Sequence, residues 1–126
     1  MAARSFVQLL GAADPGVVVL GFNFTPNGTG AIASSAISGR GVASVTWNAS
    51  ASVYDVVLSD EYFACLSAQA SYVDADPPDD RFAKIRAVFA TSKTIGVGIY
   101  DISSTAYTSV STGTVQVLLV LKNSSV

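Results

Sequence analysis

Histidine is absent from this 126-residue chain, cysteine and tryptophan occur once each, and glutamate occurs only as Glu61. Without histidine, neither a Ser-His-Asp nor a Cys-His nucleophile can be assembled, and imidazole-based zinc sites are excluded as well. A single cysteine excludes thiolate zinc clusters, CxxC redox chemistry and an internal disulfide. Cys65 sits among Phe63, Ala64 and Leu66 and reads as a small buried hydrophobe rather than a reactive thiol. Charge is scarce too, at 13% of residues, where a typical soluble domain carries about 25%. The formal net charge is −2 and the basic residues are scattered. A nucleic-acid partner is therefore not expected, since phosphate binding needs a clustered excess of Lys and Arg. Only Arg81, Lys84 and Arg86 lie close together, beside Asp79 and Asp80, and they read as a solvated strand face.

Long apolar runs are missing as well. Gly16 to Phe22 and Val117 to Leu121 fall far short of the roughly 20 residues of a membrane-spanning helix. The start of the chain is a poor signal peptide: the apolar stretch Ser5 to Leu10 is interrupted by Gln8 and followed by Asp14-Pro15. Synthesis without Sec export and no membrane partner are the expectations. The four N-x-S/T tripeptides, at Asn23, Asn27, Asn48 and Asn123, then follow from a chain rich in Ser, Thr and Asn.

What the chain has is apolar content, 50% of residues, arranged with period two. The length suits one domain with a single core. Residues 1–40 hold one strand signal, Val17 to Phe24, within Gly-, Ala- and Ser-rich surroundings that read as an N-terminal arm with a long loop. From residue 41 to 126, strand signals recur every 8 to 15 residues with turn residues between them, as in a β-sandwich body. Tyr54, Val56 and Leu58 share one face, as do Ala83, Ile85, Ala87 and Phe89, then Ile95, Val97 and Ile99. Val115, Val117, Leu119 and Leu121 align in a strand expected to be central, and Leu118 and Val120 make its opposite face apolar too. Asp60 to Leu66 reads as one helical turn, with Tyr62, Phe63 and Leu66 at helical spacing, before strand resumes to Tyr72. Gly96 and Gly98 mark either a close approach by an aromatic ring or another backbone, or a bulge. The expected fold is all-β: an antiparallel sandwich of seven to eight strands, in jelly-roll or Ig-like order, with a flexible N-terminal arm.

Catalytic and cofactor motifs are not found. No GxxxxGK[ST] or GxGxxG occurs, and spacing alone does not show the carboxylates Asp55, Asp60, Glu61 and Asp101 to converge. The acidic stretch from Asp74 to Asp80 lacks the glycine and terminal glutamate of an EF-hand, and its paired prolines suit an exposed hairpin loop better than a calcium site. The reading is thus a non-enzyme with no metal and no cofactor. Trp47, Tyr72, Tyr100 and Tyr107 are candidate aromatics for stacking on sugars.

The ordered pieces resemble a known group. Gly39 to Trp47 (GRGVASVTW) and Val53 to Tyr62 (VYDVVLSDEY) are followed by a Ser-Ala-Gln-Ala strand at Ser67 to Ala70 and an Asp-rich loop. An alternating strand, SKTIGVGIYD at Ser92 to Asp101 and VLLVLKNSSV at Val117 to Val126 complete the set. Together these resemble small virion proteins of tailed bacteriophages, over about two thirds of the chain. The resemblance implies a decoration or cement protein, often trimeric, that sits on the outside of the capsid, partners the major capsid protein and has no catalytic residues. Phe6, Val7, Leu9, Leu10, Val17, Val19, Leu118 and Val120 are the expected oligomer or capsid interface, with Ser5 to Val19 pairing to a neighbour by strand addition. The alternatives are a phage tail or baseplate component and a carbohydrate-binding β-sandwich module.

Overall fold

Period-two runs favour extended chain because alternate side chains then point the same way, and one set can leave water together. The computed structural model, which describes residues 16–74, 80–88 and 93–122, turns these runs into nine strands. They are β1 (Val17–Phe24), β2 (Ile37–Gly39), β3 (Val42–Asn48), β4 (Val53–Leu58), β5 (Ala64–Val73), β6 (Arg81–Ala87), β7 (Thr94–Asp101), β8 (Ala106–Tyr107) and β9 (Thr114–Lys122). β2 and β8 have only three and two residues, and these short additions raise the count above the seven or eight expected. Two antiparallel sheets pack together, one in the order β2-β1-β9-β5 and the other β3-β4-β7-β6 with β8 paired to β7. The fold is an all-β sandwich.

β9 is the middle of the first sheet. Its register with β1 runs from Val17 opposite Lys122 to Phe24 opposite Val115, and β5 pairs along its other edge. Val115, Val117, Leu119 and Leu121 thereby face inward with Phe22 and Phe24. They meet Val45, Tyr54, Val56, Leu58, Ile95, Val97 and Ile99 from the second sheet in one buried cluster. Each such side chain contributes roughly 1.5–3 kcal/mol by leaving water.

Within this cluster Tyr54 has its polar end satisfied. Its hydroxyl shares a proton between the carbonyls of Gly28 (2.9 Å) and Val110 (3.1 Å), and accepts from the Val110 N–H at 3.1 Å. Burial pushes its pKa up. The phenol thus ties the loop before β9 to the loop after β1.

Two sequence expectations give way here. Val17 to Gly39 is no arm, because β1 pairs along its whole length with β9 and β2 pairs with β1. The Gly- and Ser-rich loop between β1 and β2 packs too. Ile32 is buried in the core, its N–H donates to Val45 O (2.9 Å), and the Trp47 N–H donates to Gly30 O (3.0 Å), so the loop covers the edge of β3. Along the edge that faces β9, Val17 and Val19 have strand partners within the chain, at Lys122 and Val120, while β2 covers the other edge of β1 only from Phe22 to Phe24. Residues 1–15, including Phe6, Val7, Leu9 and Leu10, lie outside the described residues.

The helical turn at Asp60 to Leu66 is also not formed. The only helical turn among the described residues is a 3-10 turn at Ser34–Ala36. The Ser59 N–H donates to Gly41 O (2.8 Å) and the Phe63 N–H to Lys122 O (2.9 Å). The Phe63 donor that a local helical turn would need is thus taken by β9, and tertiary pairing overrides local spacing. In β6 the inward face holds for Ala83 and Ile85, but a register shift between Ile85 and Ala87 leaves Ala87 exposed. Phe89 and the rest of the Asp-rich loop, residues 75–79, lie outside the described residues.

The turn after β7 is organised by Asp101. One carboxylate oxygen accepts from the Ser103 N–H (2.9 Å) and hydroxyl (2.6 Å), and the other accepts from Arg81 Nε at 3.3 Å. The Ser103 hydroxyl chiefly holds the Asp101 carboxyl below its usual range; burial opposes this, and Arg81 and backbone N–H groups add to it. A carboxylate with a lowered folded pKa stabilises the fold above its unfolded pKa and loses that contribution as pH falls through the folded value. Unfolding midpoints measured across the acid range should therefore fall with pH in the native protein and fall less steeply in Asp101→Asn. Leu119→Asp would place an unpaired carboxylate in the core at a cost of several kcal/mol. It should yield no folded protein by circular dichroism, and a soluble, cooperatively unfolding Leu119→Asp would refute the face assignment.

Candidate interaction surfaces

The outward positions of the first sheet follow from its register. Val17, Val19, Gly21 and Asn23 come from β1, Gln116, Leu118, Val120 and Lys122 from β9, and Ser67, Gln69, Ser71 and Val73 from β5. Val19 stands directly opposite Val120, and Leu118 opposite Gly21. Gly21 offers no side chain there, so Leu118 leans across it. Val19 is 49% exposed and Leu118 45%, large fractions for paired positions in the middle of a sheet. Phe63 and Leu66 extend the apolar character beside the start of β5, at 61% and 54% exposed. Lys122, whose ammonium lies 5.8 Å from the Phe63 ring centroid, is the only charged residue among these outward positions of β1, β5 and β9. A shallow open groove lined by Gln69, Ser71, Gln116 and Leu118 runs beside the apolar strip.

Four of the eight expected interface residues, Val17, Val19, Leu118 and Val120, are thus brought together on one face. Within the described residues of one chain the outward side of β9 stays open at Leu118.

The outward face of the second sheet differs in chemistry. Phe82 on β6 pairs with Tyr100 on β7, and Tyr100 with Tyr107 on β8. The ring centroids lie 5.3 Å and 5.1 Å apart, in tilted and edge-on arrangements. The Arg86 guanidinium lies over Tyr107 at 4.0 Å from its centroid and donates to Ala51 O at 2.8 Å. Arg86 therefore spans from β6 across β7 to the turn between β3 and β4. Gly98 makes that crossing possible, since a Cβ there would collide with Arg86 Cδ and with Tyr107 Cδ1. The close-approach reading of the glycine pair holds at Gly98, where an aromatic ring closes in, whereas the bulge lies on the neighbouring strand β6, between Ile85 and Ala87, and not on the glycines' own strand.

The four candidate sugar-stacking aromatics are separated. Trp47 is half-buried against Tyr54, with centroids 4.9 Å apart. Tyr72 packs against the core, and its hydroxyl donates to Thr112 O at 2.7 Å. Gly113, at φ 80°, supplies the left-handed turn beside it, and any Cβ there would strike the phenol. Only Tyr100 and Tyr107 meet. Phe82, which completes their row, is not singled out in the sequence, and Arg86 is read there only as part of a solvated basic strand face; matching the alternation of β6 to that of β7 would have aligned Phe82 with Tyr100. Burial pushes the Cys65 thiol up, and its sulfur donates weakly to Ser67 O at 3.5 Å, which suits an unreactive side chain.

Comparison with protein-family models, with curated proteins and with solved structures finds no match.

Proposed function

We propose that this chain is a non-catalytic structural protein of a bacteriophage virion that binds the outside of the capsid and stabilises the shell. The observation that carries this reading is the outward apolar strip of Val17, Val19, Leu118 and Val120, exposed at Val19 and Leu118 and half-buried at the other two, mounted on paired strands of the first sheet and nearly free of charge. A rigid, uncharged surface suits docking on a protein lattice, where desolvating a charge would cost affinity. The resemblance of the segment from Gly39 onward to small phage virion proteins supplies the setting: the major capsid protein as partner and a homo-oligomer, with a trimer favoured. Shell stabilisation needs buried area of the order of 1,000 Å² per contact, and symmetric copies multiply weak contacts through effective concentration.

Co-sedimentation with expanded capsids stripped of decoration tests the proposal, with bound copies counted per major capsid subunit. The native protein should saturate at a fixed lattice ratio. Leu118→Asp, which alters an exposed side chain and leaves the core intact, should weaken binding by about tenfold or more. Failure to bind capsids, with recovery in tail fractions, would overturn the capsid reading in favour of a tail component.

A further inference from the structure

The outward face of the second sheet joins a row of rings, exposed at Phe82 and half-buried at Tyr100 and Tyr107, to cations and has no part in the docking just proposed. Phe82 is 45% exposed, at one end of the row it makes with Tyr100 and Tyr107. Along β6 the same outward face carries Lys84, opposite Gly98, and then Arg86. Lys84 therefore lies between Phe82 and Arg86 along β6 and is exposed. Arg86 is held in place by Tyr107 and by the carbonyls of Ala51 and Ser52, at 2.8 Å and 3.4 Å. The polar groups beside the rings are thus cations, whereas a neutral sugar is gripped by amides and carboxylates. Asp55 and Asn48, the polar pair on β4 and β3, are bonded to each other at 3.1 Å.

From this juxtaposition we infer that the Phe82, Tyr100 and Tyr107 row with Lys84 and Arg86 is a binding platform for an acidic polysaccharide. The apolar C–H face of a pyranose stacks on Phe82 and Tyr100, and ring carboxylates pair with Lys84 and Arg86. Two cations on a chain of net charge −2 fall short of the footprint of a nucleic-acid binder. The two outward faces belong to different sheets on opposite sides of one sandwich, so a molecule docked through the first would present the second to solvent. The inference does not depend on that docking, because the isolated protein carries the whole platform.

Affinity electrophoresis of the full chain tests it, with polygalacturonate as probe and neutral galactan and inorganic polyphosphate as comparisons. Polygalacturonate should retard the native protein more than galactan does. Phe82→Ala and Tyr100→Ala should each weaken retardation by about tenfold, with melting temperatures used to confirm that both remain folded. Lys84→Gln should weaken it less and flatten its dependence on salt, while Leu118→Asp, on the opposite face, should leave it unchanged. No retardation by polygalacturonate, full retardation of the folded ring variants, or polyphosphate binding as tight as polygalacturonate would each overturn the assignment. Loss of capsid binding by Leu118→Asp bears only on the first sheet, so the two readings can fail separately.

Discussion

The double pairing of β9 is the constraint from which the rest of the sandwich follows. Among the described residues β9 is the last strand, and it lies between β1, the first, and β5 from the middle. Apart from the short β1–β2 pairing, the first sheet does not form from local contacts, and pairing β1 with β9 joins residues about a hundred positions apart. Such pairings must overcome loop-closure entropy before they gain anything. The return comes from the inward side chains of β9, Val115 to Leu121, which have no useful water contact. The Tyr54 hydroxyl ties the loops flanking β1 and β9 to the second sheet. Removing β1 would expose one edge of β9 and half the inward face together, so β1 is part of the framework and not an appendage.

Because β9 is held on both edges, its outward side chains are held as well. Leu118 and Val120 cannot retreat into the core without reversing the strand, since a slip of one residue exchanges the two faces. Their exposure is thus a fixed property of the sheet. The second sheet meets the same constraint differently. Its outward face at β7 is emptied by Gly96 and Gly98, and the space is taken by Tyr107 and Arg86 from flanking elements. One sandwich in this way presents an aliphatic face on one side and an aromatic, cationic face on the other.

Much of this was legible in the alternation. Val17 to Phe24 was readable as a strand, and Tyr54 to Leu58, Ile95 to Ile99 and Val115 to Leu121 each declare their inward face, because burial imposes period two on one side of a strand. The role of β1 was not legible, since the Gly- and Ser-rich residues after it resemble a tether, and nothing local reveals that Ile32 anchors the loop in the core. Tyr62, Phe63 and Leu66 misled for a related reason: helical spacing over a few residues is weak evidence against hydrogen bonds offered by distant strands. Half of the expected apolar interface could be assembled from β9 and β1 alone. The aromatic cluster needed the pairing of β6, β7 and β8, which no single segment encodes.

Side-chain footprinting by carbene labelling, comparing free protein with protein bound to expanded capsids, tests most directly that the first sheet is the docking face. The account predicts that Val19, Leu118 and Val120 lose label on binding while Phe82 and Tyr100 keep theirs. Protection of Phe82 and Tyr100 with Val19 and Leu118 still labelled would contradict it and assign docking to the opposite side of the sandwich.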